Sequence, residues 1–223
     1  MATDTRGIPI PTIKRFPSYL RLLKGYRDEG MQTVSATVLA DELGLKPIQV
    51  RKDISCTGIE GKPKVGFTVT RLIDAIVHTL GWDNATDAIL IGAGSLGSAL
   101  ARYEGFESYG LKIIAAFDVD QKKWGSKLGD VPVYCTDELK QYIKKNHINI
   151  CVLAVPAIQA QQVAENLVEY GIIAIWNFAP KDLKLPEQVV VQRTDLATSF
   201  AVLSAKVKRK MSEEDLPAQI DEW

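Results

Sequence analysis

The chain is 223 residues long and has only three cysteines and two histidines. Cys56, Cys135 and Cys151 lie far apart and form no C-x-x-C pair, so neither a disulfide framework nor a zinc site is indicated, and no metal is expected. A reduced, cytoplasmic setting fits such a chain. His78 and His147 stand alone, one on an amphipathic stretch and one before a strand, and neither has a partner in sequence that marks it as catalytic. No apolar run approaches the roughly 20 residues needed to span a bilayer, and the N-terminus lacks the apolar core of a signal peptide, so no membrane partner is expected. Net charge is also lacking. Twenty-seven basic residues balance twenty-seven acidic ones, which removes any whole-chain argument for polyanion binding. The balance is local rather than uniform: residues 1–80 hold 12 Lys/Arg against 8 Asp/Glu, leaving 15 against 19 for the remainder, or +4 and −4.

The richest stretch is ILIGAGSLG at 89–97. It runs apolar to Gly92 and then sets Gly92, Gly94 and Gly97 ahead of an Ala/Leu-rich helical pattern, the strand, tight turn and helix start of a dinucleotide site. Gly92 lets the chain turn, Gly94 lets backbone approach a pyrophosphate, and Gly97 lets helix pack on strand. Ala93, Ser95 and Leu96 complete the loop, whose free N–H groups face the phosphates. Leu111 to Phe117 reads as a second strand ending in Asp118, about 20 residues on, where a carboxylate accepts hydrogen bonds from the adenine ribose and favours NAD(H) over its 2′-phosphorylated form. Lys123 falls beside the adenosine end. The competing reading is a Gly-rich turn of an unrelated α/β protein.

Before this motif the chain is helical. Met1 to Pro11 is polar and expected to be poorly ordered. Phe16, Tyr19, Leu20, Leu23 and Tyr26 recur at helical spacing until Gly30, with Pro17 fitting the first turn or a kink. VSATVLADELGLKPIQVRKDIS then divides into a helix through Leu39, Ala40 and Leu43, a turn at Gly44 and a second helix opened by Pro47, the punctuation of a helix-turn-helix. Val50 and Ile54 face the core on the second helix. Lys46, Gln49 and Lys52 share an outward face flanked by Ile48, Arg51 and Ser55, a mixture suited to base edges, phosphates and a thymine methyl. A plain helical bundle with a solvated basic face is the alternative. GIEGKPKVGFTVT follows, a hairpin with Lys62 and Lys64 at its tip, placed as the wing of a winged helix. Thr70 caps a further helix running to Leu80, Gly81 ends it, and GWDNATD reads as a linker.

From Asp87 strands and helices alternate, the signature of a parallel sheet covered on both faces. The last helix, from about Asp195 to Met211, is apolar at Leu196, Phe200, Leu203 and Val207 and needs a surface to bury against. The expected fold class is therefore α/β, an N-terminal winged helix-turn-helix domain (1–82) joined to a Rossmann-type doubly wound parallel sheet (83–194), then a C-terminal helix and tail (195–223). An NAD-dependent oxidoreductase is the first rival function, but it needs a positioned acid/base and a substrate domain. With two isolated histidines, no Tyr-x-x-x-Lys pair and no residues left for a second catalytic domain, the chain is expected not to be an enzyme and no catalytic residue is assigned. A ligand-binding α/β domain of the CoA-binding kind is the second rival, and it has no need of Asp118.

Together RFPSYLRLL (15–23), QVRKDIS (49–55), VGFTV (65–69), IGAGSLGSAL (91–100), AAFDVDQKKWG (115–125), AVP (154–156) and NFAP (177–180) resemble the Rex family of bacterial redox-sensing transcriptional repressors. The resemblance implies a homodimer that exchanges its C-terminal helix, binds NAD or NADH, and holds operator DNA, an A·T-rich inverted repeat, until NADH releases it. It further implies that Val155, Pro156, Asn177, Phe178 and Phe200 lie at the cofactor's nicotinamide end. Tyr103 and Asp195 match positions linking that site to the dimer, and Arg15 matches an arginine near the junction of head and core. The chain departs from the family at Cys56 and Thr57, where two aromatics are usual.

Overall fold

A computed structural model describes residues 7–83 and 86–214, with side chains to Met211. Expectations about Met1–Arg6, Asn84, Ala85 and the charged tail lie outside the described residues. The described residues divide into two compact units, one up to Asp83 joined by Ser108–Gly110, the other made of Thr86–Glu107 and the chain from Leu111 onward.

In the first unit α1 spans Ile10–Asp28, longer than its apolar spacing implied, because Pro9 supplies an extended N-cap and Pro11 fits the first turn, where no intrahelical N–H is required. Residues 7–11 are thus part of the fold, and Ile8 is buried. Pro17 lies in the helix interior rather than at its start. The helix-turn-helix is present as α2 (Ala36–Leu43) and α3 (Pro47–Ser55). Ser35 caps α2 by accepting the Val38 N–H, and Gly44 ends it at φ 62°, a conformation that favours glycine. Thr33–Val34 (β1) pairs antiparallel with Phe67–Thr68 (β2), and a single bridge between Lys62 and Gly66 closes the wing loop. Two-residue strands carry too little alternation to be read from sequence. Helix α4 runs Val69–Leu80 with Thr68, not Thr70, at the N-cap, because β2 reaches Thr68 and fixes it in extended backbone. Phe16, Leu23, Leu39, Val50, Ile54, Leu72 and Ile76 form the core of this unit.

At its centre sits a charge. Asp53 is 0% exposed and accepts hydrogen bonds from Thr12, Arg15 and Tyr19 of α1 and from Gln49 of its own helix. Burial pulls its pKa upward, but these donors, Arg15 first, outweigh burial and hold the carboxyl below the usual carboxylate range.

The second unit is a seven-stranded sheet in the order β5-β6-β4-β3-β7-β8-β9, where β3 is Thr86–Ile91, β4 Leu111–Asp118, β5 Lys127–Leu128, β6 Val131–Cys135, β7 Ile150–Leu153, β8 Ala174–Asn177 and β9 Val190–Arg193. Every neighbouring pair is parallel except β5 with β6. Set aside the short antiparallel edge β5, and the six parallel strands follow the 3-2-1-4-5-6 order of a doubly wound dinucleotide fold, reversing direction between β3 and β7. Alternate residues of one strand serve opposite faces. Ile89 and Ile91 pack with α6 (Leu139–Asn146) and α7 (Ala157–Tyr170), while Leu90 packs with Val133, Val152 and Leu100 of α5 (Ser95–Ala101). Helix α8 (Leu196–Glu214) covers neither face: its Leu196, Phe200, Leu203, Val207 and Met211 are all exposed.

The Asp53 cluster gives the first unit a pH-dependent contribution to stability. A carboxyl whose folded pKa is depressed contributes stability above its unfolded pKa, about 4, and that contribution is lost as pH falls through the folded value. Asp53→Asn should cost about 3–5 kcal/mol near neutral pH, because Arg15 is left without its counter-charge. The deficit should shrink below about pH 4, as measured by denaturant unfolding of the two full-length proteins across that range.

Candidate functional site

The cleft opens where strand order reverses, at the carboxyl ends of β3 and β7. After Ile91 the chain turns at Gly92 (φ 96°), where a Cβ would collide with the Ala154 carbonyl oxygen following β7. A Cβ at Gly97 would overlap the Gly92 carbonyl itself, so α5 can start this close to β3 only without a side chain there. Gly94 differs: it is the exposed N-cap of α5 at φ −75°, and a Cβ there would meet nothing within 4 Å. The room it leaves is outside the fold, on the open side of the loop.

Across this loop, Asp118 ends β4 at 8% exposure. Its Oδ2 accepts the Ala93 N–H at 2.7 Å and the Lys123 ammonium at 3.0 Å, and its Oδ1 accepts the Asp120 N–H at 2.9 Å. Burial raises its pKa, while the Asp120 N–H, Lys123 and the Ala93 N–H overcome that and keep it ionised. A carboxylate has about four acceptor sites, so one remains for an outside donor. Lys123 was expected beside the adenosine end; it is bound to Asp118, drawing a cation against the acid that faces the cleft. The cavity, about 600 Å³, is lined by Gly92, Gly94, Asp118, Lys123, Val155 and Pro156 among the expected residues. Thr136, Asp137, Gln159 and Tyr170 also line it, and they were missed because they come from loops and helix faces that no motif marks.

Other expected residues lie elsewhere. Asn177 is 1% exposed, and both ends of its amide are used locally, Nδ2 donating to the Lys181 carbonyl and Oδ1 accepting the Ala179 N–H. Its side chain therefore shapes the NFAP turn. Phe178 packs on Trp176, Trp176 on Phe106, and Phe106 on Tyr103, an aromatic chain with centroid spacings of 4.9, 5.3 and 4.8 Å. Tyr103 lines a separate cavity with Arg102, Glu104 and Lys112. Asp195 caps α8 through the Ala197 N–H and pairs with Arg193, and Phe200 is 68% exposed on that helix. Ala93 is buried, and Ser95 and Leu96 are exposed on the first turn of α5.

On the first unit Lys46, Ile48, Arg51, Lys52 and Ser55 are exposed on α3, with Ile48 at 56%, and Lys62 and Lys64 are exposed on the wing loop. Lys64 takes φ 62°, a left-handed turn conformation within the loop that the Lys62–Gly66 bridge closes. Arg51, Ser55, Lys62 and Lys64 line one groove of about 620 Å³ between α3 and the wing. Gln49 is half-buried, its amide donating to Asp53. Arg15, expected near the junction of the two domains, is bidentate on Asp53 inside the first unit.

Comparison with known proteins agrees with both halves. Residues 83–181 match a family model described as a CoA binding domain, and residues 7–55 one described as the N-terminus of a putative DNA-binding protein. The redox-sensing transcriptional repressor Rex of Treponema denticola is 46% identical over 90% of this chain and 95% of its own. This chain belongs to the Rex family. Rex of Streptomyces coelicolor is 39% identical over 96% of this chain and 83% of its own. Among solved structures, RSP, a Rex-family repressor, in complex with β-NAD+ and operator DNA superposes with a TM-score of 0.86 at 32% identity, over 96% of this chain and 98% of that one. RSP in complex with β-NADH gives 0.84 at 31%, over 97% and 100%. Rex proteins are repressors and not enzymes, although they carry a dinucleotide fold.

The two glycines of the loop separate by role. Gly97→Ala should lower stability by about 1–3 kcal/mol or prevent folding, since backbone must move to admit the methyl. Gly94→Ala should change stability by no more than about 0.5 kcal/mol. Equal losses for both in thermal unfolding would remove the distinction.

Proposed function

We propose that this Rex protein represses transcription in the cytoplasm by holding operator DNA as a homodimer, and that NADH in the β3/β7 cleft releases the DNA. The observation that carries this reading is the near full-length match to one Rex-family repressor held with β-NAD+ and operator DNA and, separately, with β-NADH. Pyrophosphate meets the free N–H groups at the start of α5, with Gly94 admitting it, and the adenine ribose donates to the remaining acceptor site of Asp118. Val155 and Pro156 lead toward the nicotinamide, and Phe178 with Phe200 of an exchanged helix closes it in. The unburied apolar residues of α8 support that exchange, because a helix of this kind gains its stability from a surface it buries.

On DNA, α3 enters the major groove with Lys46, Ile48, Gln49, Arg51, Lys52 and Ser55, and Lys62 and Lys64 of the wing take phosphates or a narrow, A·T-rich minor groove. A dimer reads an inverted repeat only while its two recognition helices stay about one helical turn, or a multiple of it, apart. NAD+ and NADH differ at a ring that is charged in one and neutral in the other, so an apolar enclosure favours NADH and the arrangement of heads that goes with it.

Linkage makes this testable in both directions. Saturating NADH should weaken operator binding by roughly 5- to 150-fold, and operator should weaken NADH binding by the same factor. Anisotropy with labelled A·T-rich inverted-repeat DNA and calorimetry with NADH measure the two halves, and no change in either removes the proposal.

Cofactor choice follows from Asp118. NADPH carries a 2′-phosphate and CoA a phosphorylated ribose where NADH has hydroxyls, so both should bind more weakly than NADH, and Asp118→Ala should narrow the gap. Competitive titration of the three decides, and tighter binding of CoA would favour the other ligand class.

A further inference from the structure

Resting on the DNA-reading function proposed above, we infer that Asp53 is a positioning residue that fixes how Gln49 reads a base, selecting adenine over guanine. The Asp53 carboxylate is met only by donors. Its Oδ1 takes the Thr12 hydroxyl (2.9 Å), Arg15 Nη2 (2.7 Å) and Gln49 Nε2 (2.9 Å); its Oδ2 takes Arg15 Nε (2.6 Å) and the Tyr19 hydroxyl (2.9 Å). An ionised carboxylate accepts and never donates, so Gln49 has to turn its NH2 group inward and cannot present its oxygen there. The amide is therefore locked in one rotation, with one N–H spent on Asp53. What Gln49 retains toward solvent is a single N–H and Oε1, neither with a protein partner among the described residues.

Adenine offers an N7 acceptor beside an N6 donor in the major groove, and guanine offers two acceptors, N7 and O6. A free glutamine serves either base, since it can turn both N–H groups or one of each kind outward. A glutamine with one N–H held behind it matches adenine's acceptor and donor and meets guanine's O6 with its own oxygen. The lock is anchored from α1 through Thr12, Arg15 and Tyr19, whose three side chains hold the carboxylate that holds Gln49.

The experiment starts from a duplex selected out of random-sequence DNA by the unmodified protein, with every base pair then replaced singly and affinity read by anisotropy, with and without NADH. One A·T pair per half-site should lose roughly 5- to 150-fold on replacement by G·C. Gln49→Ala and Asp53→Asn should each flatten that position selectively, and the double variant should lose nothing more there. Uniform weakening at all positions in Asp53→Asn marks a merely structural role and overturns the inference. Because that variant is destabilised, a second measurement stands on the unmodified protein: by NMR the exchange rates of the two side-chain amide protons of Gln49 should differ far more than those of a solvent-exposed glutamine, and a difference no larger than in an exposed glutamine overturns the lock. A duplex that is selected and released by NADH but shows no such A·T position overturns this inference alone. Failure to select any duplex removes the DNA-reading function and the inference with it.

Discussion

The cleft exists because α5 begins almost against the end of β3. That approach is a steric fact of two positions, Gly92 turning at positive φ under the Ala154 carbonyl and Gly97 packed on the Gly92 carbonyl. A side chain at either would push helix from strand, and the first-turn N–H groups of α5 would no longer face the crevice where strand order reverses. Asp118 reinforces the same geometry from β4 by accepting the Ala93 N–H, so the carboxylate proposed to take the ribose also ties the loop to the neighbouring strand. Lys123 supplies the counter-charge that lets this acid stay ionised while buried.

The first unit uses a buried carboxylate in a similar way for a different end. Asp53 costs solvation and recovers it through five donor atoms, which ties α1 to α3 with a directionality that the apolar contacts of Phe16, Leu39 and Ile54 do not have. Apolar packing sets how deep a helix sits, and it tolerates small rotations. A network of short hydrogen bonds does not, and a helix that must present particular side chains to a groove gains from that.

Much of this was legible because it rests on local rules. The glycine loop, the helix-turn-helix punctuation at Gly44 and Pro47, and the alternation of strands with helices each follow from residue-level sterics or periodicity, and all appear in the structure. What was not legible depends on contacts distant in sequence. The strand Thr33–Val34 exists only because Phe67–Thr68 lies beside it. Asp53 reads as one more charge on a basic helix until Arg15, 38 residues away, is brought to it. Asn177, in a motif that resemblance assigned to the cofactor, spends its amide on its own turn, a use that type and position in sequence do not distinguish from ligand binding. Lys123 reads from the sequence only as a cation five residues past Asp118; its bond to that acid depends on the turn at Asp120.

The division of the cofactor-facing residues bears on how a sensor of this kind must work. Gly92, Gly94, Asp118 and Lys123 line one cavity in one unit, and in the proposed reading they address the phosphate and adenosine portion, which NAD+ and NADH share. Groups that treat both redox forms alike raise affinity for each and shift no equilibrium, however tightly they bind. Discrimination has to come from the nicotinamide end. Of the residues that resemblance assigns there, Val155 and Pro156 line that cavity, whereas Asn177, Phe178 and the exposed Phe200 of α8 do not. A cofactor held at one end by groups common to both redox forms, and read at the other by different elements, can report its redox state through the position of those elements. This keeps the affinity needed to stay loaded separate from the smaller energy difference that moves DNA.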